Sequence, residues 1–258
     1  MPAAPLAPDL HTGDAGIDAY LGNGYERVLG MSSRFAAAIS AWLICHQSAQ
    51  GIRGGACEIG AFQGRFFIAL ALALQSDERA LGIDTFDWPT PSTLARFESN
   101  CRAHGLRDGQ WQPWKCASET VGVDALHARL EGRPVRFFHI DGDHSPAALG
   151  RDLNLAAAVL HPEGLVCIDD MLHPAYPFLV TKVQEFLIAR PDWRLMAILD
   201  REDIVGAAKF LLCRVDAVAR YETALMERYP ARHFVLGGDA LGHHCVVLTP
   251  APRLAIVE

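Results

Sequence analysis

The stretch Phe137-Phe138-His139-Ile140-Asp141-Gly142-Asp143-His144-Ser145 runs an apolar segment straight into ionisable side chains packed around a glycine. An apolar run of this length reads as a strand buried on both faces of a parallel sheet. In an open α/β sheet, ligands bind where such strands end, at the carboxyl edge. Gly164-Leu165-Val166-Cys167-Ile168-Asp169-Asp170 repeats the pattern, strand then acids. The interval between the two strands is long enough for a crossover helix, expected from Pro146 to Leu160. Asp141, Asp169 and Asp170 then fall on neighbouring strand ends and face one crevice. Carboxylates held that close repel one another unless a cation sits among them. The pattern therefore predicts a site for a hard divalent cation, such as Mg²⁺, at the lip of a sheet.

Working outward, Ala56–Ile59 is the first strand expected, turning at Gly60-Ala61-Phe62-Gln63-Gly64 into a helix from Arg65 to Leu74. Ala80–Asp84 is the second strand and Gln110–Lys115 the third, with a helix from Ser92 to Cys101 or His104 between them. A helix over Glu119–Leu130 leads to the fourth strand, Val135–Ile140, and Gly164–Ile168 is the fifth. Beyond it the alternation changes. Trp193–Leu199 and Ala207–Arg214 read as an antiparallel pair, flanked by helices at Val180–Ala189 and Asp216–Tyr229, with a last strand at Cys245–Leu248. Residues 1–24 carry Pro2, Pro5 and Pro8 and read as a loose arm; a helix follows, capped by Ser32 or Ser33 and showing Phe35, Ile39 and Trp42 on one face. The expected fold is α/β, a doubly wound, mostly parallel Rossmann-like sheet with an antiparallel strand pair near the C-terminal end. An arm and helix over residues 1–50 precede a single α/β domain over 51–258.

Composition narrows the function classes. Of 258 residues, 50% are hydrophobic and 21% charged, ordinary for a protein with a packed core. A net charge of −7 disfavours a nucleic-acid partner held by electrostatics. No apolar run is long enough for a membrane span, and the first residues lack the basic and apolar regions of a signal peptide. The seven cysteines are odd in number and never arranged CxxC, which suits a reduced, cytoplasmic protein and argues against structural zinc. The arm and the apolar face of the first long helix lie outside the sheet domain and need a partner surface, their own active site or that of a second subunit, with a homodimer favoured.

Glu58-x-Gly60-x-x-x-Gly64 lies between strand and helix, where glycines let a ligand approach the backbone and the helix N-terminus. It lacks the spacing of a GxGxxG dinucleotide fingerprint, and a tight turn would explain it as well. Asp84, at the end of the next strand, stands where an acid accepts from the hydroxyls of a ribose, although a turn residue is the plain alternative. Asp143 either caps the following helix or binds metal, and the cap is favoured. His144 is either a cap or a group that titrates near neutrality within reach of the acids. Phe86, Asp87 and Trp88 either flank an adenosine or pack; His46, His173 and the pair His243-His244 carry weaker signals.

These residues together carry a resemblance. Glu58-Ile59-Gly60-Ala61-Phe62-Gln63-Gly64, Gly82-Ile83-Asp84, Ile140-Asp141-Gly142-Asp143-His144-Ser145 and Ile168-Asp169-Asp170 resemble class I S-adenosylmethionine-dependent methyltransferases. The IDGDHS…DD pairing is similar to the metal-dependent O-methyltransferases that act on sugar hydroxyls of macrolide antibiotics. The resemblance implies that Glu58, Gly60 and Gly64 line the methionine end of S-adenosylmethionine, that Asp84 holds its ribose, and that Ser118 meets the adenine edge. It implies Asp141, Asp169 and Asp170 as metal ligands, with Asp141 also beside the cofactor, and His144 as the general base. Pro146-Ala147 stands where those enzymes usually carry a tyrosine and an acid.

The chemistry agrees with that reading. Methyl transfer to a hydroxyl needs an in-line, partly deprotonated oxygen. A bound cation lowers a hydroxyl's pKa, and a nearby imidazole accepts its proton. The expected function is a metal-dependent O-methyltransferase acting on a hydroxyl of a small molecule, a sugar-bearing or phenolic natural product. The competing readings are a nucleoside-binding domain without chemistry and an NAD(P)-linked oxidoreductase; the latter lacks both GxGxxG and YxxxK.

Overall fold

The computed structural model describes residues 5–235 and 242–252; the first residues of the arm, 1–4, and the tail, 253–258, lie outside it. Nine strands among the described residues form one sheet in the order β3-β2-β1-β4-β5-β7-β6-β9-β8. The first five are β1 (Gly55–Ile59), β2 (Ala80–Asp84), β3 (Trp111–Lys115), β4 (Val135–Ile140) and β5 (Leu160–Met171). All five run parallel, with Ile59 beside Ile83 on one side and Ile140 on the other. β7 (Ala208–Arg214) then lies antiparallel between β5 and β6 (Trp193–Leu199), which is the expected antiparallel pair. The sheet continues through β9 (Val246–Leu248), parallel to β6, to the short β8 (His233–Val235). Strand order reverses between β1 and β4, so the crevice above their carboxyl ends is the topological switch point.

Alternate residues of each central strand face opposite helical layers. Ala56, Ala80, Phe137 and Leu165 belong to a core shared with α2 (Arg34–Ala49), α3 (Arg65–Leu72), α4 (Thr93–Ala103) and α8 (Val215–Arg228). Cys57, Leu81, Phe138 and Val166 belong to a second core under α5 (Val123–Arg129), α6 (Pro146–Val159) and α7 (Phe178–Ala189). This period-two split is what near-continuous apolar strands require when both faces are covered. No helix of the described residues is long and apolar enough to cross a membrane.

The N-terminal segment corrects the sequence reading. It is not a loose arm over its described residues: a 3₁₀ turn, Pro8–Leu10, precedes α1 (Ala15–Ala19) and a π-turn over Tyr20–Gly24. Asp14 caps α1 by accepting from the backbone of Gly16 and Ile17, and Asp9 pairs with Arg232 near the far end of the chain. Leu6, Leu10, Ile17 and Leu21 are buried in the first core. Short polar caps and widely spaced apolar anchors carry no helical periodicity, so the prolines are the strongest signal this segment offers. Phe35 and Ile39 on α2 are likewise buried within the chain, and Trp42 is partly so, stacking on His46. That face therefore offers no support for a homodimer, which had rested on it.

Candidate active site

A cavity of about 1100 Å³ opens at the switch point. Glu58, Gly60, Asp84, Ser118, Asp141, His144, Asp169 and Asp170 all line it. Gly64 caps the start of α3 in a left-handed conformation, φ 90°, at the edge of the same turn.

The turn after β1 is shaped by close approach. Gly60 has φ 85°, and a Cβ there would stand 1.8 Å from the carbonyl oxygen of Asp141. Only glycine lets the ends of β1 and β4 meet at that distance. Asp84 holds the turn from the other side, accepting from the backbone N–H of Phe62 at 2.8 Å and of Phe86 at 2.6 Å. Each of its oxygens retains a second acceptor position. Phe86 is wholly buried against Phe97, and Asp87 pairs with Lys115. Of that trio Trp88 alone lines the cavity, 64% exposed and 5.3 Å from the ring of Phe62.

At the ends of β4 and β5 the acids are sorted into two groups. Donor atoms of Asp141, His144 and Asp170 lie within 4.8 Å of one another, and so do those of His139, Asp141 and Asp169. The expected set Asp141–Asp169–Asp170 is thus divided, with Asp141 common to both halves. His144 Nε2 lies 2.6 Å from Asp170 Oδ2, and the ring stacks on Tyr176 at 4.1 Å. The Asp170 hydrogen bond raises the imidazole's pKa above its ordinary value, against the effect of burial. Burial works to raise Asp170, but the same contact, together with the charges of Lys209 and His173, outweighs it and holds that carboxyl below the usual range. Asp170 reaches this position from a left-handed backbone, φ 57°. Burial, then the neighbouring Asp169, pushes Asp141 well above the carboxylate range. Asp141 accepts no hydrogen bond from the described residues, so its oxygens are available to a ligand.

Ser145, not Asp143, caps α6, accepting from the backbone of Ala148 at 3.2 Å. Asp143 instead accepts from Ser145 N at 2.8 Å and orders the loop before the cap. Pro146 occupies the first helical position, where its missing N–H costs nothing. His173 lines the cavity and stacks on Tyr176 at 5.0 Å.

Sequence reading missed the inner network. Lys209, on β7 and fully buried, forms an ion pair with Asp169 and approaches His139 Nε2 at 3.3 Å. Ser32 donates to Asp169 Oδ2 at 3.0 Å, and His139 Nδ1 lies 2.7 Å from Glu58 Oε1. Burial pushes Glu58 well above its ordinary pKa, and its Oε2 is buried without a hydrogen-bond partner. His139 is pushed well below its ordinary value by burial and by the Lys209 charge. The available signal was a lysine inside an otherwise apolar strand, Ala-Lys-Phe-Leu-Leu-Cys.

Comparison with known proteins bears on the fold that carries this site. Residues 57–171, which hold the glycine turn, the acids and His144, match a family described as a methyltransferase domain. No curated protein matches the chain. Among solved structures, a putative O-methyltransferase from Klebsiella pneumoniae is 18% identical, with a TM-score of 0.56 over 79% of this chain and 90% of that one. The O-methyltransferase TomG from Streptomyces achromogenes, involved in tomaymycin synthesis and solved with S-adenosylmethionine, is 19% identical, with a TM-score of 0.53 over 78% and 90%. CalS11, a TDP-rhamnose 3′-O-methyltransferase of calicheamicin biosynthesis, is 15% identical, with a TM-score of 0.53 over 70% and 80%. The fold is that of these O-methyltransferases, and residues 57–171 are similar to a methyltransferase domain.

Proposed function

We propose that the chain moves a methyl group from S-adenosylmethionine to a hydroxyl of a small, largely apolar acceptor, a phenol or catechol, assisted by a divalent cation. The observation that carries this is one cavity shared by the glycine turn, Asp84, and the Asp141–His144–Asp170 group. Gly60 leaves room for the cofactor to approach the ends of β1 and β4, and Asp84 keeps acceptor positions for its ribose. The C–S bond of the sulfonium breaks as the C–O bond forms, and the hydroxyl proton leaves to a base.

The oxygens of Asp141 and Asp170 fit a hard divalent cation, since oxygen donors suit Mg²⁺ and Asp141 is otherwise unengaged. When bound, such an ion would lower the acceptor's pKa. His144, oriented by Asp170 and by the Tyr176 ring, is placed to take the proton. Asp169 does not join them, for its charge is met by Lys209.

The cavity walls favour a phenol over a nucleotide sugar. Seven carboxylates line it (Glu58, Asp84, Glu119, Asp141, Asp143, Asp169, Asp170) against two arginines, Arg65 and Arg151. Both arginines are already paired, with Glu26 and Glu119. A diphosphate would find no unpaired arginine there to meet its charge. Apolar side chains instead edge the cavity: Met31, Trp88, Ile204 and Val205 are 47%, 64%, 60% and 57% exposed. Isotope-labelled S-adenosylmethionine incubated with catechols and with nucleotide sugars, with Mg²⁺ or EDTA, tests the reading. Label is expected on the catechol only, and only with Mg²⁺. Transfer undiminished in EDTA, or confined to the nucleotide sugar, would refute the cation or the acceptor respectively.

A further inference from the structure

We infer that Lys209 is a built-in cation filling the inner half of the acid cluster, so that Asp169 serves the ammonium while a divalent ion is left to Asp141 and Asp170. The inference rests on the cation-assisted reading above, and its test separates the two.

Lone pairs decide it first. A carboxylate oxygen has two acceptor positions. Asp169 Oδ2 receives both Lys209 and Ser32, and Oδ1 receives the backbone N–H of Asp170 at 2.8 Å. Both ring nitrogens of His139 are also engaged, Nδ1 with Glu58 and Nε2 with Lys209. Asp169 Oδ2 and both nitrogens of His139 are therefore filled by protein partners and Asp169 Oδ1 keeps one position, whereas neither oxygen of Asp141 is engaged by the described residues.

Charge decides it next. Lys209 is 0% exposed, with its Nζ 4.8 Å over the ring of Phe66. Its neighbours Ala208 and Phe210 are fixed in the β5 ladder opposite Met171 and Ile168. A divalent ion in the inner group would sit beside a fixed positive charge, and the repulsion would be little screened in a buried setting. No side chain of the outer group is bonded to that ammonium, and the group opens to the cavity.

Mn²⁺ binding, counted from the free-ion electron paramagnetic resonance signal, tests this without any turnover. The double variant K209M/D169N replaces the buried ion pair by a neutral one, a change folds tolerate. It should bind Mn²⁺ as the wild type does. Asp141→Asn and Asp170→Asn should each weaken Mn²⁺ by more than roughly a hundredfold, beyond the roughly 10–100-fold that loss of a supporting residue typically costs. Lys209→Met, prepared with Mn²⁺ present, should bind one ion more than the wild type, at Asp169. Loss of Mn²⁺ from K209M/D169N when the wild type binds it would overturn the inference, as would K209M binding no more than wild type. If wild type binds no Mn²⁺, the cation reading of the outer group fails; binding by K209M that K209M/D169N lacks would still uphold the role of Lys209, and no binding by either would sink it. Should K209M not fold, the comparison of K209M/D169N with Asp141→Asn decides.

Discussion

His144 and Asp152 show how one kind of shift serves two purposes. Asp170 lies 2.6 Å from the His144 ring and raises its proton affinity, which makes the imidazole a stronger base for an acceptor hydroxyl. His144→Ala should leave cofactor affinity unchanged and lower kcat by about 10²–10⁴-fold. At fixed Mg²⁺, wild-type kcat should rise with pH through a midpoint that Asp170→Asn moves downward. An alanine variant with near-normal turnover would remove His144 from the reaction. Asp152, on α6, carries a carboxyl pushed to about 6 by burial, only partly offset by Ser118. The folded state then keeps a proton that the unfolded chain releases near 3.8. The associated stability is complete below the unfolded value and is lost as pH rises through about 6. Asp152→Asn should therefore stabilise the protein by roughly 1–2 kcal/mol at pH 7.5 and not at pH 4, by urea titration. Equal effects at both pH values would count against a buried charge. Asp84, Asp141, His144 and Asp170 were legible because each stands at a strand end, where a polar residue breaks an apolar run. Lys209 and His139 were not, since each sits inside such a run and acquires meaning only from strands distant in sequence.

Among the elements, those with long apolar runs were legible almost to the residue, β2 at Ala80–Asp84 and β4 at Val135–Ile140 among them. Short or capped elements were not. The helix expected from Glu119 to Leu130 is a 3₁₀ turn, Ser118–Thr120, followed by α5 from Val123, because Gly122 interrupts it in an extended conformation. β8 has three residues, too few to show a period. α2 is joined to the sheet by a buried contact that no pattern announces: Arg136 on β4 donates to Ile44 O at 2.7 Å and to Gly54 O at 3.2 Å, and pairs with Glu78. Both charged side chains are 0% exposed. Glu78 also accepts from Gly54 N and Gln75 N, each at 2.8 Å. Removing one partner leaves a buried charge alone. Glu78→Ala should cost roughly 3–5 kcal/mol in urea unfolding, and Arg136→Met beside it should recover part of that loss. If the double variant is no better than the single, the two residues act separately.

For the whole molecule, folding gathers carboxyl groups above β1, β4 and β5, and their mutual repulsion is relieved by protons, by Lys209 or by a ligand. Burial and the adjoining Asp169 and Asp170 hold Asp141 protonated well above the ordinary carboxylate range. A cation bound there must displace that proton, so its affinity rises as pH rises through the elevated value and falls below it. Binding to the folded state alone stabilises by RT ln(1 + [L]/Kd), so the effect is visible in the melting temperature. Mg²⁺ at a fixed concentration should raise Tm more at pH 8 than at pH 5.5. Comparing each pH with and without Mg²⁺ cancels the contribution of groups away from the site. These include His46, His104 and His161, all lowered by burial, which favour the folded state as pH rises whether or not a cation is present. Asp141→Asn should abolish both the Mg²⁺ increment and its pH dependence. An increment that is the same at both pH values would show that Asp141 carries no proton for the cation to displace, and would move the binding site elsewhere.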